Sequence, residues 1–518
     1  MQIADSMSNR ASSHAPSIWA IWLVSTVAVT TVVLFFRLGA LPVQVWDEAR
    51  LANNAFEMST GGLSIVTTYD GRPDHWNTKP PLLIWSMAAS IHAFGPNEWS
   101  IRLPSAVAGL LTAIIVFWFC AARLGRPSAG FAAVLAILSS PGYVQGTDFW
   151  TNPGELLQNH AARSGNYDVT LALFTTTYLL AGYLALANRN AVHPKWIILC
   201  AAGAYLAFLT KTIQGLIFLP ALVAYAAHRD HLRRLVASRT MWLCAIIVIV
   251  GSAVYYLARE QADPGFIRSA IAFDVLRYNA VSDGHHGHWS YYLMQYRLFP
   301  LLVPFLIIGA ALALFDDGER RELSRFVLTA SVFYLAVISL SATKLWWYAI
   351  PLVPLSAVAF AIAWDHAAER IGSRFSTKSG LRLRARLALS LVVPLAMLVV
   401  FRNIQLAEMG EATAASRPED QYSYFLRGPV METSDLQRFV VLHPSYTRDI
   451  YYVAPTLFYV SILRSQGRTI AIQAPEVPIP AGFDTVVICA GETERASASG
   501  LTLVPILEHG GCGAYRLM

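Results

Sequence analysis

Asp47 and Glu48 stand side by side after Val45-Trp46, and Ala49-Arg50 follow them. A carboxylate in such a place can take a proton from an attacking hydroxyl or orient a substrate. Further along the same segment Lys79 precedes Pro80-Pro81-Leu82. Lysine meets a phosphate as a point charge, whereas the arginine fork can pair two of its oxygens. Other ionisable residues recur at the ends of apolar runs. They are Asp168 after Tyr167, Lys211 after Leu209-Thr210, Arg277 beside Tyr278, and Lys344 shortly before Tyr348. Ionisable groups at membrane depth are expensive and are usually kept for function. Pooled in one pocket, these residues would supply acid–base groups and cations for a phosphate. His285, His286 and His288 follow Asp274 and Arg277, and His75 lies near Lys79. Imidazole suits zinc and similar ions, so His285, His286 and Asp274 are the candidates for a divalent metal. Solvated histidines in a polar, glycine-bearing loop are the favoured alternative. The first loop also has a plainer reading of equal weight, in which Asp47 and Glu48 cap a helix and Lys79 snorkels to lipid phosphate.

The elements that must position these residues are apolar. Of 518 residues, 55% are hydrophobic and 14% charged, against about 25% charged in soluble domains. Runs of roughly 20 apolar residues can cross a bilayer. Eleven such segments are predicted, near 17–37, 103–122, 128–146, 167–187, 196–210, 212–227, 241–258, 291–314, 326–341, 346–363 and 387–401. The first is too long for a signal-peptide core and has no small-residue cleavage site after it, so it reads as a retained helix. With the N-terminus inside, every inner loop is basic. These loops carry Arg123 and Arg126; Arg189 and Lys195; Arg229, Arg233, Arg234 and Arg239; Arg320, Arg321 and Arg325; and Arg370, Arg374, Lys378, Arg382, Arg384 and Arg386. That placement sets orientation in a membrane, and it argues against nucleic acid as the partner of the net charge of +6.

Four segments then fall outside: 38–102, 147–166, 259–290 and 402–518. In the first, Asp47 sits at an N-cap position before a helix over Leu51–Met58, and Pro81 to Phe94 forms a second stretch too short to span. Both read as interfacial helices. Arg102-Leu103-Pro104 opens the second spanning helix. In the last, apolar runs shorten to strand length at Phe439–Leu442 and Thr485–Cys489, and a helix is predicted from Pro455 to Arg464. Cys489 and Cys512 lie in this tail, where a disulfide and two unpaired thiols are equally open.

The ordered set resembles the GT-C glycosyltransferases, and within them the aminoarabinose lipid A transferases and bacterial protein O-mannosyltransferase-like proteins. The pieces are Asp47-Glu48-Ala49-Arg50; Lys79-Pro80-Pro81-Leu82; Glu98 with Arg102-Leu103-Pro104-Ser105; Tyr167-Asp168; Leu209-Thr210-Lys211; and Lys344 with Tyr348, Pro351 and Pro354. They cover residues 18 to 360. The resemblance implies a GT-C-like polytopic α-helical membrane protein with about 11–13 transmembrane helices. Residues 1–401 would form the catalytic domain and residues 402–518 a small extracytoplasmic α/β domain.

The implied activity is inverting transfer from an undecaprenyl-type polyprenyl phosphate sugar to lipid A, an envelope glycan or protein, in a bacterial inner membrane. Asp47 would be central to catalysis, with Asp168 beside it and Glu48 and Arg50 in support. Lys79, Arg277 and Tyr348 would bind the carrier phosphate, with Lys344 and Lys211 as further cations. Aminoarabinose transferases hold zinc with a Glu before that lysine and a His in the third outer loop. Thr78 and Phe273-Asp274 stand there instead, which puts the same zinc site in doubt. A transporter of lipid-linked sugars is the alternative, but it would be expected to show repeat symmetry and a midplane site. A scaffold would leave Asp47, Lys79 and Arg277 unexplained.

Overall fold

The computed structural model describes residues 16–146, 159–187, 192–281, 284–373, 378–446, 450–489 and 502–518. Arg189, Arg374 and most of the second outer segment lie outside this range. The apolar helices are α1 Pro16–Phe35, α4 Glu98–Leu124, α5 Pro127–Leu138, α6 Tyr167–Leu186, α7 Pro194–Lys211, α8 Leu219–His228, α9 Arg239–Ala262, α10 Leu302–Phe315, α11 Gly318–Leu340, α12 Leu352–Ser373 and α13 Lys378–Ser416. Each matches one of the eleven expected segments. Among the described residues, eight stretches are long and apolar enough to cross a membrane, while α5, α8 and α10 are short. Proline divides the short ones. Pro127 starts α5, Pro220 falls in the first turn of α8, and Pro300 and Pro304 bracket the start of α10. Proline fits the first turn of a helix but breaks its interior. The protein is therefore a multi-pass membrane protein.

Two helix starts differ from expectation. Asn97 caps α4 by accepting the Ser100 amide, so α4 begins at Glu98 and Pro104 lies inside it. In α2 (Asp47–Gly61) the cap position falls to Trp46, and no side chain caps the helix. The Asp47 side chain is thus not used as a cap. α3 (Leu82–Phe94) packs beside α2. Between them a small hairpin, β1 Thr68–Tyr69 and β2 Arg72–Pro73, turns at Asp70-Gly71, both at positive φ. Asp-Gly suits that turn because glycine takes positive φ at no steric cost.

The C-terminal region holds α14 (Pro418–Phe425), β3 (Arg438–Leu442), α15 (Ile450–Ser465), β4 (Thr469–Gln473), β5 (Thr485–Cys489), β6 (Leu503–His509) and β7 (Cys512–Leu517). The sheet order is β4-β3-β5-β7-β6. β3 pairs parallel with β4 and β5, and β7 pairs antiparallel with β5 and β6. Cys489 and Cys512 face each other across β5 and β7 and are disulfide-bonded. The sheet does not stand apart from the first loop. Phe439, Val441 and Phe458 share one buried core with Ala52, Phe56 and Met87 of α2 and α3. Asn53 of α2 donates to the Ala454 carbonyl of α15.

Candidate active site

Adjacent residues on a helix point about 100° apart, so Asp47 and Glu48 cannot share a task. Glu48 turns into the protein. Arg102 Nε and Nη2 each bond one of its oxygens at 2.8 Å, and the Gly165 and Gln44 amides donate to it at 2.7 and 2.8 Å. Arg102 also donates to the carbonyls of Leu38, Leu41 and Pro42. This clamp fixes the chain entering α2. Arg50, one turn on, pairs with Asp74 at 2.7 Å and lies 4.0 Å over the Tyr69 ring. Asn54 donates to Asp74, Asn77 donates to Asn54, and Tyr167 donates to Asn77. The stretch leading to Lys79 is thereby tied to both α2 and α6.

Asp47 faces the other way, toward a histidine that sequence reading passed over. His160 Nε2 lies 2.9 Å from Asp47 Oδ2, and its Nδ1 lies 2.7 Å from Asp168 Oδ2. Lys211 Nζ donates to Asp168 Oδ1 at 2.6 Å. The imidazole stacks on Trp347 with centroids 3.7 Å apart and planes 2° from parallel. Burial alone would raise Asp47, but His160, with Lys79 and Lys211 behind it, holds its carboxyl below the usual carboxylate range. Burial would lower His160, yet Asp47 and Asp168 hold it above its ordinary value. Trp46, His160 and Thr212 all adopt positive φ. The first precedes Asp47 and the last follows Lys211. Such conformations are costly for non-glycine residues and tend to gather at functional sites.

Two adjoining cavities meet here. A polar chamber of about 60 Å³ is lined by Asp47, Trp76, Lys79, His160, Tyr167 and Asp274 among others. A larger cleft of about 300 Å³ is lined mainly by apolar side chains, including Leu171, Ile213, Ile217, Val337, Ile338 and Pro351. Asp168, Lys211, Gln214, Phe273, Asp274, Trp347 and Tyr348 border both. Ile213 and Val275 at the cleft are exposed, so it opens where a membrane chain would meet lipid.

The structure therefore brings Asp47, Lys79, Asp168, Lys211, Asp274 and Tyr348 around one space. Lys344 stays apart. Its ammonium bonds the Ser339 and Ser341 carbonyls at the end of α11, at 2.8 Å for the first. Arg277 opens a short helical turn, and its side chain lies outside the described residues. His285 and His286 are exposed, His286 turns to the Gly284 carbonyl, and Asp274 accepts the Thr212 hydroxyl. Among the described residues, no three His, Cys, Asp or Glu side chains gather as a metal ion would need. His285, His286 and Asp274 do not fit a shared metal. His160 carried one signal in the sequence: a histidine in a short outer segment, eight residues before Asp168.

This architecture is the GT-C fold, as the resemblance implied. The structure of ArnT from Cupriavidus metallidurans bound to undecaprenyl phosphate matches with a TM-score of 0.67 at 18% identity, over 97% of this chain and 98% of that one. An Archaeoglobus fulgidus oligosaccharyltransferase tethered to an acceptor peptide matches at 0.52 and 10% identity, over 92% and 69%. Residues 78–256 match the family model described as dolichyl-phosphate-mannose-protein mannosyltransferase. The chain is 26% identical over 384 residues to the undecaprenyl phosphate-alpha-4-amino-4-deoxy-L-arabinose arabinosyl transferase 2 of Pseudomonas fluorescens, covering 72% of this chain and 60% of that protein. It is 28% identical over 368 residues to the corresponding transferase of Pseudomonas aeruginosa, covering 68% and 61%. The matches thus span about three fifths of these relatives' length.

Proposed function

We propose that the protein is a glycosyltransferase. It moves a sugar from an undecaprenyl-type polyprenyl phosphate to an acceptor on the outer face of a bacterial inner membrane, with inversion. One observation carries this reading: a polar chamber lined by Asp47 and Lys79 adjoins a larger, mainly apolar cleft. The polyprenyl chain suits the cleft, the phosphate suits the border near Lys79 and Tyr348, and the sugar suits the chamber. The named relatives act on such carriers. The basic inner loops leave the site on the opposite, outer side. Residues 1–401 carry the site, and residues 402–518 cover α2 from above.

In the reaction an acceptor hydroxyl gives its proton to Asp47. Its oxygen attacks the anomeric carbon, and the bond from that carbon to the phosphate oxygen breaks with its electron pair moving to phosphate. If the acceptor is itself a phosphate, Asp47 only positions it. The donor diester carries one negative charge, and the released monoester approaches about −2. Lys79 and Arg277 offset that growth, and Tyr348 donates a hydrogen bond. Lys211 acts through Asp168. Lipid A, an envelope glycan and protein hydroxyls are the acceptor classes.

The test is lipid mass spectrometry on a deletion strain carrying wild type or Asp47→Asn. A polyprenyl-phospho-sugar should accumulate in the deletion and with Asp47→Asn, and vanish with wild type. Purified Asp47→Asn should still bind undecaprenyl phosphate, whereas Lys79→Ala should bind it about tenfold more weakly. Identical carrier lipids in all strains would sink the transferase reading.

A further inference from the structure

Resting on that reading, we propose that His160 is a positioning residue for the transfer, an imidazolium at neutral pH that holds Asp47 ionised and aimed. Both ring nitrogens face carboxylate oxygens, at 2.9 Å for Asp47 and 2.7 Å for Asp168. A neutral imidazole has one donor only, so one of these contacts would then lack a proton or take it from an acid. An acid that already holds a proton cannot accept one from the substrate. The imidazolium is the state that leaves both carboxylates ionised.

The surroundings favour that state from every side. Asp47 comes from α2 and Asp168 from α6, while Lys211 at the end of α7 braces the far oxygen of Asp168. Two acids and two cations balance to zero. Lys79 and Asp274 line the same chamber, and Tyr348 borders it. Trp347 fixes the ring plane by stacking, and a cation over an aromatic face is attracted to it. Asp47 Oδ2 is thus engaged. Among the described residues no donor holds its Oδ1, which is left to the acceptor. The imidazole takes up no proton itself; it keeps Asp47 from turning to Lys79.

Among the described residues only His160 has carboxylates on both ring nitrogens. Nitrogen NMR of ¹⁵N-histidine-labelled wild type in nanodiscs should show one imidazole that keeps both protons at about pH 8, well past the ordinary range. The absence of such a signal overturns the proposal. The second arm uses membranes of the deletion strain, which carry accumulated donor, and follows its consumption by added protein. His160→Gln should bind undecaprenyl phosphate within about threefold of wild type but consume donor about 100-fold more slowly. Wild type should lose activity on the alkaline side as His160 titrates, and His160→Gln should lack that limb. A merely structural histidine would lower folded protein and undecaprenyl phosphate binding together and leave the limb in place. Donor consumption by wild type but equal consumption by His160→Gln at every pH overturns the role of His160 alone. No consumption by wild type overturns the transferase reading instead, and the NMR result then judges the imidazolium by itself.

Discussion

The link between His160 and Asp47 ties protonation to folding. His160 gains two carboxylates only in the folded chain, which lifts it above its unfolded value of 6.5. The stability it adds is complete below that value and fades as the pH rises through the higher folded one. Asp47 behaves in the opposite sense. Its folded value lies below 3.8, so its contribution is complete above 3.8 and is lost as the pH falls through the lowered value. The pair is intact between the two folded values. Thermal midpoints of wild type and His160→Gln, compared across pH in detergent, should differ most in mildly acidic buffer and converge on the alkaline side. A gap that widens with rising pH would reverse the charge assigned to His160.

At the scale of elements, α2 is held in place by Glu48, the acid that turns into the protein. Glu48 and Arg102 are both almost fully buried and bond through two parallel contacts. Paired with three loop carbonyls as well, Arg102 joins α4 to the chain entering α2. Removing one member of such a pair leaves a buried charge and typically costs about 3–5 kcal/mol. Arg102→Met alone should therefore destabilise by that order in thermal denaturation. Arg102→Met with Glu48→Gln should recover much of it, because the amide oxygen can still accept a backbone N–H. Additive losses would show that the clamp works through shape and not through charge.

For the whole molecule, the C-terminal region packs directly on α2. The Tyr459 hydroxyl, from α15, accepts the Val43 amide at 2.8 Å and donates to Glu98 at 2.7 Å. It joins the sheet region, the loop before Asp47 and the start of α4. Tyr459→Phe leaves the Val43 amide without that partner, at about 1–3 kcal/mol. Hydrogen exchange over residues 38–48 should quicken, with turnover falling while undecaprenyl phosphate binding holds. Unchanged exchange there would show that the C-terminal unit is a cover only.

By itself the sequence determined the class of molecule. Long apolar runs must leave water, a requirement that is local and additive, so the eleven segments and their order were legible. The acids and bases at helix ends were legible too, because a charge near the membrane needs a reason. Which partner each acid faces was decided by tertiary structure. Asp47 and Glu48 are alike in sequence and separate only when the helix turns one toward Arg102 and the other toward His160. His160 was missed because its partners lie 113 and 8 residues away, and a lone loop histidine carries no pattern of its own. The surroundings of Lys344 were hidden for the same reason: only the fold shows that its ammonium closes the end of α11. Burial and pairing depend on distant segments meeting, and no periodicity along the chain encodes that meeting.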